Sequence, residues 1–219
     1  MKKTAGRVLL TVVLLFCLSA APVNAHPHMF IDTEVTFEFD RDSLKGFWVQ
    51  WYFDVIFTAS IRLDYDYDKD GRFNDGEVRD IEQNAFRNLR NFHYFTSVIR
   101  EDGMVEVEEV RGFDAWLEND QLVYRFFVPY RIPLTAETTR LSLIIFDETF
   151  FCDILYREDS PVHIKGGSYA ATEANIVANK DYLIEYDPTG GRGRDSSGAQ
   201  TTSLGRAFPY ELRLSFRKK

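Results

Sequence analysis

Residues 66–77 carry oxygen-bearing side chains at alternating positions of one short segment. Aspartates stand at its first, third and fifth positions (Asp66, Asp68 and Asp70), and Glu77 stands at its twelfth. Calcium takes about six to eight oxygen ligands, and an EF-hand loop supplies them from positions 1, 3, 5, 7, 9 and 12. The spacing therefore predicts a calcium site in this segment.

The other loop positions also fit this motif. Gly71 stands at position 6, where the chain must turn sharply and a Cβ would obstruct it. Arg72 at position 7 offers only its backbone carbonyl, and Asn74 at position 9 suits a water-mediated ligand. The predicted calcium ligands are Asp66, Asp68, Asp70, Arg72, Asn74 and Glu77. The alternative is a solvated acidic turn, but such a turn has no reason to alternate its carboxylates and then add a glutamate at this distance.

The segments flanking the loop predict two helices. Downstream, apolar residues recur at steps of three and four, which is typical of one helix face: they are Val78, Ile81, Ala85, Leu89 and Phe92. Upstream, residues 53–63 predict a shorter helix whose apolar face holds Phe53, Ile56, Phe57, Ser60 and Ile61. We therefore predict an EF-hand-like helix–loop–helix at about residues 53–93. The sequence contains no second loop of this form, so the unit is expected to pack against the rest of the domain.

Most of the remaining sequence predicts β-strands. Residues 31–40 alternate strictly between apolar and polar side chains, which is typical of a strand with one buried face. Further strands are predicted at 46–52, 94–100, 104–110, 113–117, 122–129, 141–147, 152–157, 162–165 and 209–216. This spacing predicts a mainly β fold, an antiparallel sandwich or open barrel, with the helix–loop–helix inserted. Residues 170–179 predict a short helix, and residues 189–205, rich in Gly, Ser and Thr, predict a flexible loop.

The N-terminus has the pattern of a secretory signal peptide at residues 1–25. Basic residues precede an apolar stretch at 8–20, which is too short to span a bilayer comfortably, and Ala25 ends a small-residue cleavage site. Cys17 allows a lipoprotein interpretation, but the bulky Phe16 before it does not suit one. We therefore expect residues 26–219 to form a single β-rich domain in the periplasm, exported by general secretion and not membrane-spanning after cleavage.

Charge and motifs argue against several classes of function. The chain carries 34 acidic and 26 basic residues, a net charge of −8, which argues against nucleic acid or an anionic membrane as partner. The sequence contains no nucleophile elbow, zinc-protease motif, phosphate loop or dinucleotide fingerprint. Cys152 and His163 invite a thiol-nucleophile interpretation, but no supporting motif accompanies them. We predict that the protein is not an enzyme.

Cleavage after Ala25 would create a second candidate site at the new terminus. His26 would carry a free α-amine and an imidazole, and His28 adds a second imidazole. Pro27 has no amide hydrogen, which disfavours a square-planar chelate through a backbone nitrogen. The remaining nitrogen ligands suit Ni²⁺, Co²⁺, Zn²⁺ or Cu²⁺. Terminal histidines without a ligand role are the open alternative.

Four further residues have less specific signals. His93 and His163 adjoin aromatic or β-strand residues and are predicted to be partly buried structural histidines. Asp147 is either an oxygen ligand near the N-terminus or the start of a turn. Cys152, the one cysteine of the mature chain, is expected to be buried and inert.

Five segments together resemble a known bacterial family. They are residues 26–32, 51–54, 66–77, 91–95 and 146–151. In these segments the chain is similar to the periplasmic family filed as domain of unknown function one thousand and seven, over roughly residues 25–165, while the tail from Gly166 has no match. Its members are commonly labelled periplasmic components of an uncharacterised ABC-type transport system and are often encoded beside nickel/cobalt permeases. The resemblance implies a role near divalent-metal transport, with an inner-membrane metal permease as partner.

These observations predict a periplasmic divalent-metal-binding accessory protein of a transition-metal transport system. Calcium at the 66–77 loop would be structural, and His26 and His28 would capture or hand over the transported ion. The first alternative is a non-catalytic, calcium-ordered interaction module whose β surface docks a membrane partner. The second is a secreted hydrolase of unrecognised type, which the lack of any catalytic constellation disfavours.

Overall fold

The structure, a computed structural model, describes residues 29–186 and 205–219. Its strands are β1 (Met29–Phe39), β2 (Ser43–Phe53), β3 (Thr96–Arg100), β4 (Gly103–Glu106), β5 (Arg111–Glu118), β6 (Gln121–Pro133), β7 (Thr139–Ile145), β8 (Cys152–Tyr156), β9 (Val162–Lys165), β10 (Ala170–Ala178), β11 (Ile184–Tyr186), β12 (Gly205–Ala207) and β13 (Tyr210–Lys218). Between β2 and β3 the chain forms helices α1 (Val55–Tyr65) and α2 (Asp75–Ile81), followed by a π-helical turn (Glu82–Phe86) and a 3₁₀ segment (Arg87–Phe95).

The first sheet has six strands and is mixed. Its order is β5-β6-β2-β1-β8, and β9 also pairs with β1. The pairings among β5, β6, β2 and β1 are antiparallel, whereas β8 and β9 both run parallel to β1. β8 pairs with residues 29–33 of β1 and β9 with residues 35–38, so the two short strands follow each other along one edge.

The second sheet packs against the first through a shared hydrophobic core. It is antiparallel, with the order β10-β13-β7-β3-β4. The Phe39 and Phe216 rings, one from each sheet, lie 5.3 Å apart, and buried Trp51 lies 4.8 Å from the Phe126 ring and 6.0 Å from the Phe95 ring. The alternation that the sequence shows in β1 places Ile31, Val35 and Phe37 in this core.

The mainly β fold is confirmed, since strands account for 53% of the structure and helices for 19%. The sheets do not close into a barrel. The expectation of purely antiparallel pairing is wrong, because β8 and β9 reach β1 by crossovers that no local turn signal encodes. The predicted helix at 170–179 is instead β10, which pairs with β13 from Ala170 to Ala178; strand pairing decides the conformation of a segment with weak periodicity.

Helix α1 packs on the strands by a face that differs partly from the predicted one. Thr58 and Ile61 are buried, and the Phe57 ring lies 4.7 Å from that of Phe53. Ile56 and Ser60, predicted to share the buried face, are exposed. The helix is apolar on nearly all sides, so its periodicity alone does not select the face that meets the core.

Two predicted features lie outside the described residues. They are the signal peptide at 1–25 and, except for Gly205 in β12, the flexible loop at 189–205. Among the residues that the structure describes, none of the helices is both long and apolar enough to cross a membrane.

Candidate metal centre

Local capping interactions set the geometry of the segment between α1 and α2. Asp54 caps the N-terminus of α1, with its Oδ1 accepting from the backbone N–H groups of Ile56 and Phe57. Asn74 caps α2 in the same way, accepting from the N–H groups of Gly76 and Glu77. The end of α1 and the start of α2 are thereby defined, and residues 66–74 connect them.

Asp66 is the most constrained carboxylate of this segment. It is only 8% exposed, and its Oδ2 accepts a hydrogen bond from the Gly71 N–H at 3.1 Å. Within the described residues, the buried Oδ1 has no hydrogen-bond partner. A buried carboxylate oxygen without a partner costs stability unless a donor or a cation satisfies it. The Asp66 carboxylate therefore has one oxygen that orders the loop and one that lacks a ligand.

Asp68 and Asp70 bring two more carboxylates to the same place. One oxygen from each of Asp66, Asp68 and Asp70 lies within 4.8 Å of the others, and Asp68 and Asp70 are exposed. Two oxygens that bind one calcium ion at about 2.3–2.6 Å can be no more than about 5 Å apart. The three side chains therefore meet the distance requirement for a common calcium ion.

The other predicted ligands have structural partners. The Glu77 side chain is 98% buried, with its Oε1 accepting from the Tyr67 N–H and its Oε2 from the Asn74 N–H, both at 2.8 Å. Glu77 thus joins the two ends of the loop, and each of its oxygens keeps further acceptor capacity. The Asn74 side-chain oxygen caps α2, and the Arg72 N–H donates to Asp70 Oδ1 at 2.8 Å. The structure therefore clusters three of the six predicted ligands, whereas the side chains of Glu77 and Asn74 have hydrogen-bond partners of their own.

The sharp turn of the loop requires Gly71 for conformational reasons. Gly71 has φ of +77°, a left-handed conformation that costs a residue with a side chain roughly 1–2 kcal/mol. A Cβ there would approach the Arg62 side chain only to 3.6 Å, so space is not the constraint. Lys69 also has a positive φ of +59°, which marks a second tight bend within the same segment.

Among the described residues, His93 and His163 are not part of the cluster of Asp66, Asp68 and Asp70. His26 and His28 lie outside the described residues. His163 pairs with Thr36 on the first sheet, and its Nε2 lies 3.7 Å from Glu34. His93 Nε2 lies 3.0 Å from Glu106, and within the described residues its buried Nδ1 has no partner.

The backbone around His93 is strained. His93, Tyr94 and Phe95 all have positive φ values, of +53°, +51° and +52°. Such conformations are unfavourable for residues with a Cβ, and tertiary contacts must hold them in place. Tyr94 is buried, and the Phe95 ring packs against Trp51, so the core supplies these contacts.

Asp147 is fully engaged in a turn. It is 3% exposed, its Oδ1 accepts from the N–H and hydroxyl of Thr149, and its Oδ2 accepts from the Cys152 N–H. Asp147 therefore connects the turn after β7 to the start of β8, as the turn alternative predicts.

Cys152 and His163 do not form a nucleophile–base pair. Their partners on β1 are Met29 and Thr36, so the two residues lie about 23 Å apart at the usual rise per strand residue. Burial, followed by the negative charge of Asp147, raises the pKa of the Cys152 thiol and disfavours the thiolate.

The described residues thus form a mainly β protein with one mixed and one antiparallel sheet, and with two helices between β2 and β3. The chain belongs to the family DUF1007, described as a protein of unknown function, whose family model matches residues 11–216. The match includes β10 and β13, which corrects the expectation that the tail from Gly166 lies outside the resemblance.

Two curated relatives share parts of this sequence. An uncharacterized 15.5 kDa protein in the trpE 3′ region of Spirochaeta aurantia is 32% identical over 103 residues, which cover 47% of this chain and 73% of that protein. An uncharacterized protein of Haemophilus influenzae is 25% identical over 165 residues, which cover 74% of this chain and 78% of that protein.

Proposed function

We propose that residues 66–77 form an EF-hand-like calcium loop and that the protein is a calcium-stabilised, periplasmic accessory protein of a transition-metal transport system. The calcium part rests on one observation above all: the buried Asp66 Oδ1 has no partner among the described residues, and it belongs to a carboxylate that clusters with those of Asp68 and Asp70. A cation there would satisfy this oxygen and reduce the repulsion among the clustered carboxylates.

The hydrogen bonds of the loop support an assignment to calcium in preference to a small anion or an amine. The backbone N–H of Gly71 is directed at Asp66 Oδ2, and those of Asp70 and Arg72 at Asp68 and Asp70. The carboxylates are thereby oriented from within the loop, and their remaining oxygen lone pairs form the hard donor set that calcium prefers over softer metals.

Calcium titration of the mature protein tests this part directly. Isothermal titration calorimetry is expected to show one calcium ion per chain, with a Kd of about 10⁻⁴–10⁻³ M, typical of extracellular modules. Magnesium is expected to bind more weakly, because it demands a tighter octahedral shell. Absence of calcium heat at millimolar calcium, together with an unchanged fluorescence spectrum, would contradict the proposal.

The transport part of the proposal rests on the mature N-terminus and on the family resemblance. His26 and His28 stand three residues and one residue before Met29, the first residue of β1. An α-amine and two imidazoles are nitrogen donors that suit Ni²⁺, Co²⁺, Zn²⁺ or Cu²⁺. Capture and transfer to an inner-membrane permease is the function that we assign to this terminus.

Changing both His26 and His28 to alanine is expected to lower the affinity for at least one of these four metals by tenfold or more, because two imidazole ligands are lost. The titrations require protein with an authentic His26 terminus, since a tag blocks the α-amine. The control is His163→Ala, which removes a half-exposed histidine from the first sheet. Identical titrations of parent and double variant for all four metals would rule out this role.

A further inference from the structure

Helix α1 is apolar on two opposite faces, and only one of them meets the core. The outward face carries Val55, Ile56 and Leu63, which are 78%, 77% and 85% exposed, with Ala59 and Ser60 exposed between them. At 100° per residue these five positions fall within an arc of about 140°. We call this face the α1 stripe. A helix that is apolar all round is normally buried all round, and contiguous exposed apolar surface marks an interaction site.

The start of β1 extends the α1 stripe. The Phe30 N–H donates to Asp54 Oδ2 at 2.9 Å, and the Phe30 carbonyl accepts from the Asp54 N–H at 3.1 Å. These bonds hold Phe30, whose side chain is 53% exposed, beside the N-terminus of α1. The apolar surface therefore continues from the helix onto the first strand.

Acidic side chains border the α1 stripe at both ends. Asp54 stands at its start, and exposed Asp64 stands at its end, before the loop. Within the described residues Asp64 makes no ion pair, whereas Arg62, the one basic residue of α1, lies 3.8 Å from Asp120. An apolar stripe between carboxylates is complementary to a segment whose apolar residues are flanked by lysine or arginine.

We propose that the α1 stripe docks a basic, amphipathic segment of a partner protein. Its apolar side chains cover Val55, Ile56 and Leu63, and its cations face the bordering aspartates. A second copy of the chain would bring the same aspartates together, and an anionic lipid surface would meet a chain with a net charge of −8. The charges therefore favour a cationic protein segment over both.

The test uses the mature protein and a synthetic helical peptide of about fourteen residues with leucines at helical spacing and lysines elsewhere. A peptide with glutamate in place of every lysine is the matched probe. The parent protein is expected to bind the lysine peptide at least tenfold more tightly than the glutamate peptide. The double variant Ile56→Ser/Leu63→Ser is expected to lose at least tenfold in affinity for the lysine peptide.

The control is the double variant Met104→Ser/Val105→Ser, which removes two half-exposed apolar side chains from β4 and should bind like the parent. Because Ile56 and Leu63 are more than three-quarters exposed, the stripe variant should melt at the parent temperature, which separates lost docking from lost folding.

Binding of the lysine peptide is measured with calcium and with a chelator. Since the proposal does not depend on the calcium loop, failure of one is distinguishable from failure of the other.

Four outcomes would overturn the proposal. The first is equal affinity of the parent and stripe variant for the lysine peptide, and the second is no binding of that peptide by the parent. The third is a dimer in analytical ultracentrifugation that the stripe variant abolishes, which would assign the stripe to a second copy. The fourth is stripe-dependent sedimentation with phosphatidylethanolamine–phosphatidylglycerol vesicles, which would assign it to lipid.

Discussion

Asp66→Ala is expected to abolish the stabilisation that calcium gives the mature protein. At the calcium concentration used, about ten to a hundred times the expected Kd, binding stabilises the folded state by about 1.4–2.7 kcal/mol. For a domain of this size, that corresponds to a rise in melting temperature of roughly 3–11 °C in the parent protein. The variant should show no such rise, because it loses both a calcium ligand and the acceptor that orders Gly71. Thermal unfolding followed by circular dichroism, with 10 mM calcium and with a chelator, measures the effect.

The comparison without calcium sharpens this prediction. In the chelator, Asp66→Ala should lie within about 1 kcal/mol of the parent, since removing a buried, unpartnered carboxylate oxygen offsets the loss of its hydrogen bond. Asp64→Ala is the matched control, because it removes the same charge two residues earlier, from an exposed position outside the loop. A parent that melts at one temperature in both solutions, or an Asp64 variant that also loses the calcium response, would refute the assignment.

Gly46→Ala is expected to cause the largest loss of stability, about 3 kcal/mol or more, or to prevent folding. Gly46 lies where the register of β2 against β6 shifts, and its φ is +149°. A Cβ there would lie 2.1 Å from the carbonyl oxygen of Val128 and 2.9 Å from the N–H nitrogen of Tyr130. Both atoms belong to the β6 backbone, which cannot move away without breaking the central pairing of the first sheet.

Gly103→Ala separates this steric effect from backbone strain. Gly103 also has a positive φ, of +126°, but nothing lies within 4 Å of a Cβ built there. The Gly103 variant should therefore lose only the cost of backbone strain, about 1–3 kcal/mol, and urea denaturation measures both variants with comparable m-values. Equal losses for the two variants would show that close approach to β6 is not the constraint at Gly46.

Local patterns in the sequence predict much of the molecule. The alternation in β1 predicts a strand with Val35 and Phe37 inside, and both are fully buried. Successive side chains of a strand point to opposite faces of the sheet, so the order of consecutive residues predicts which of them are buried. The position of the acidic loop between two helices is equally local, since Asp54 and Asn74 are capping residues that mark helix starts.

Long-range pairing could not be predicted in the same way. The parallel pairing of β8 and β9 with β1 joins segments more than 120 residues apart, and nothing within either strand specifies that partner. Local sequence also failed to predict the conformation of residues 170–178. Their own pattern suggests a short helix, but pairing with β13 makes them a strand. Likewise, the packing of α1 on the sheet decides which face of that helix is buried.

The candidate calcium ligands, the mainly β class and the terminal histidines can all be predicted from residue types at short, regular spacing. Three other properties are visible only in the folded chain: Asp66 is buried with one oxygen unsatisfied, Glu77 joins the ends of the loop, and Val55, Ile56 and Leu63 lie outside the core. Burial and hydrogen-bond partners depend on which distant segments pack together. The free energy of the whole chain decides that packing, and no short stretch of sequence determines it.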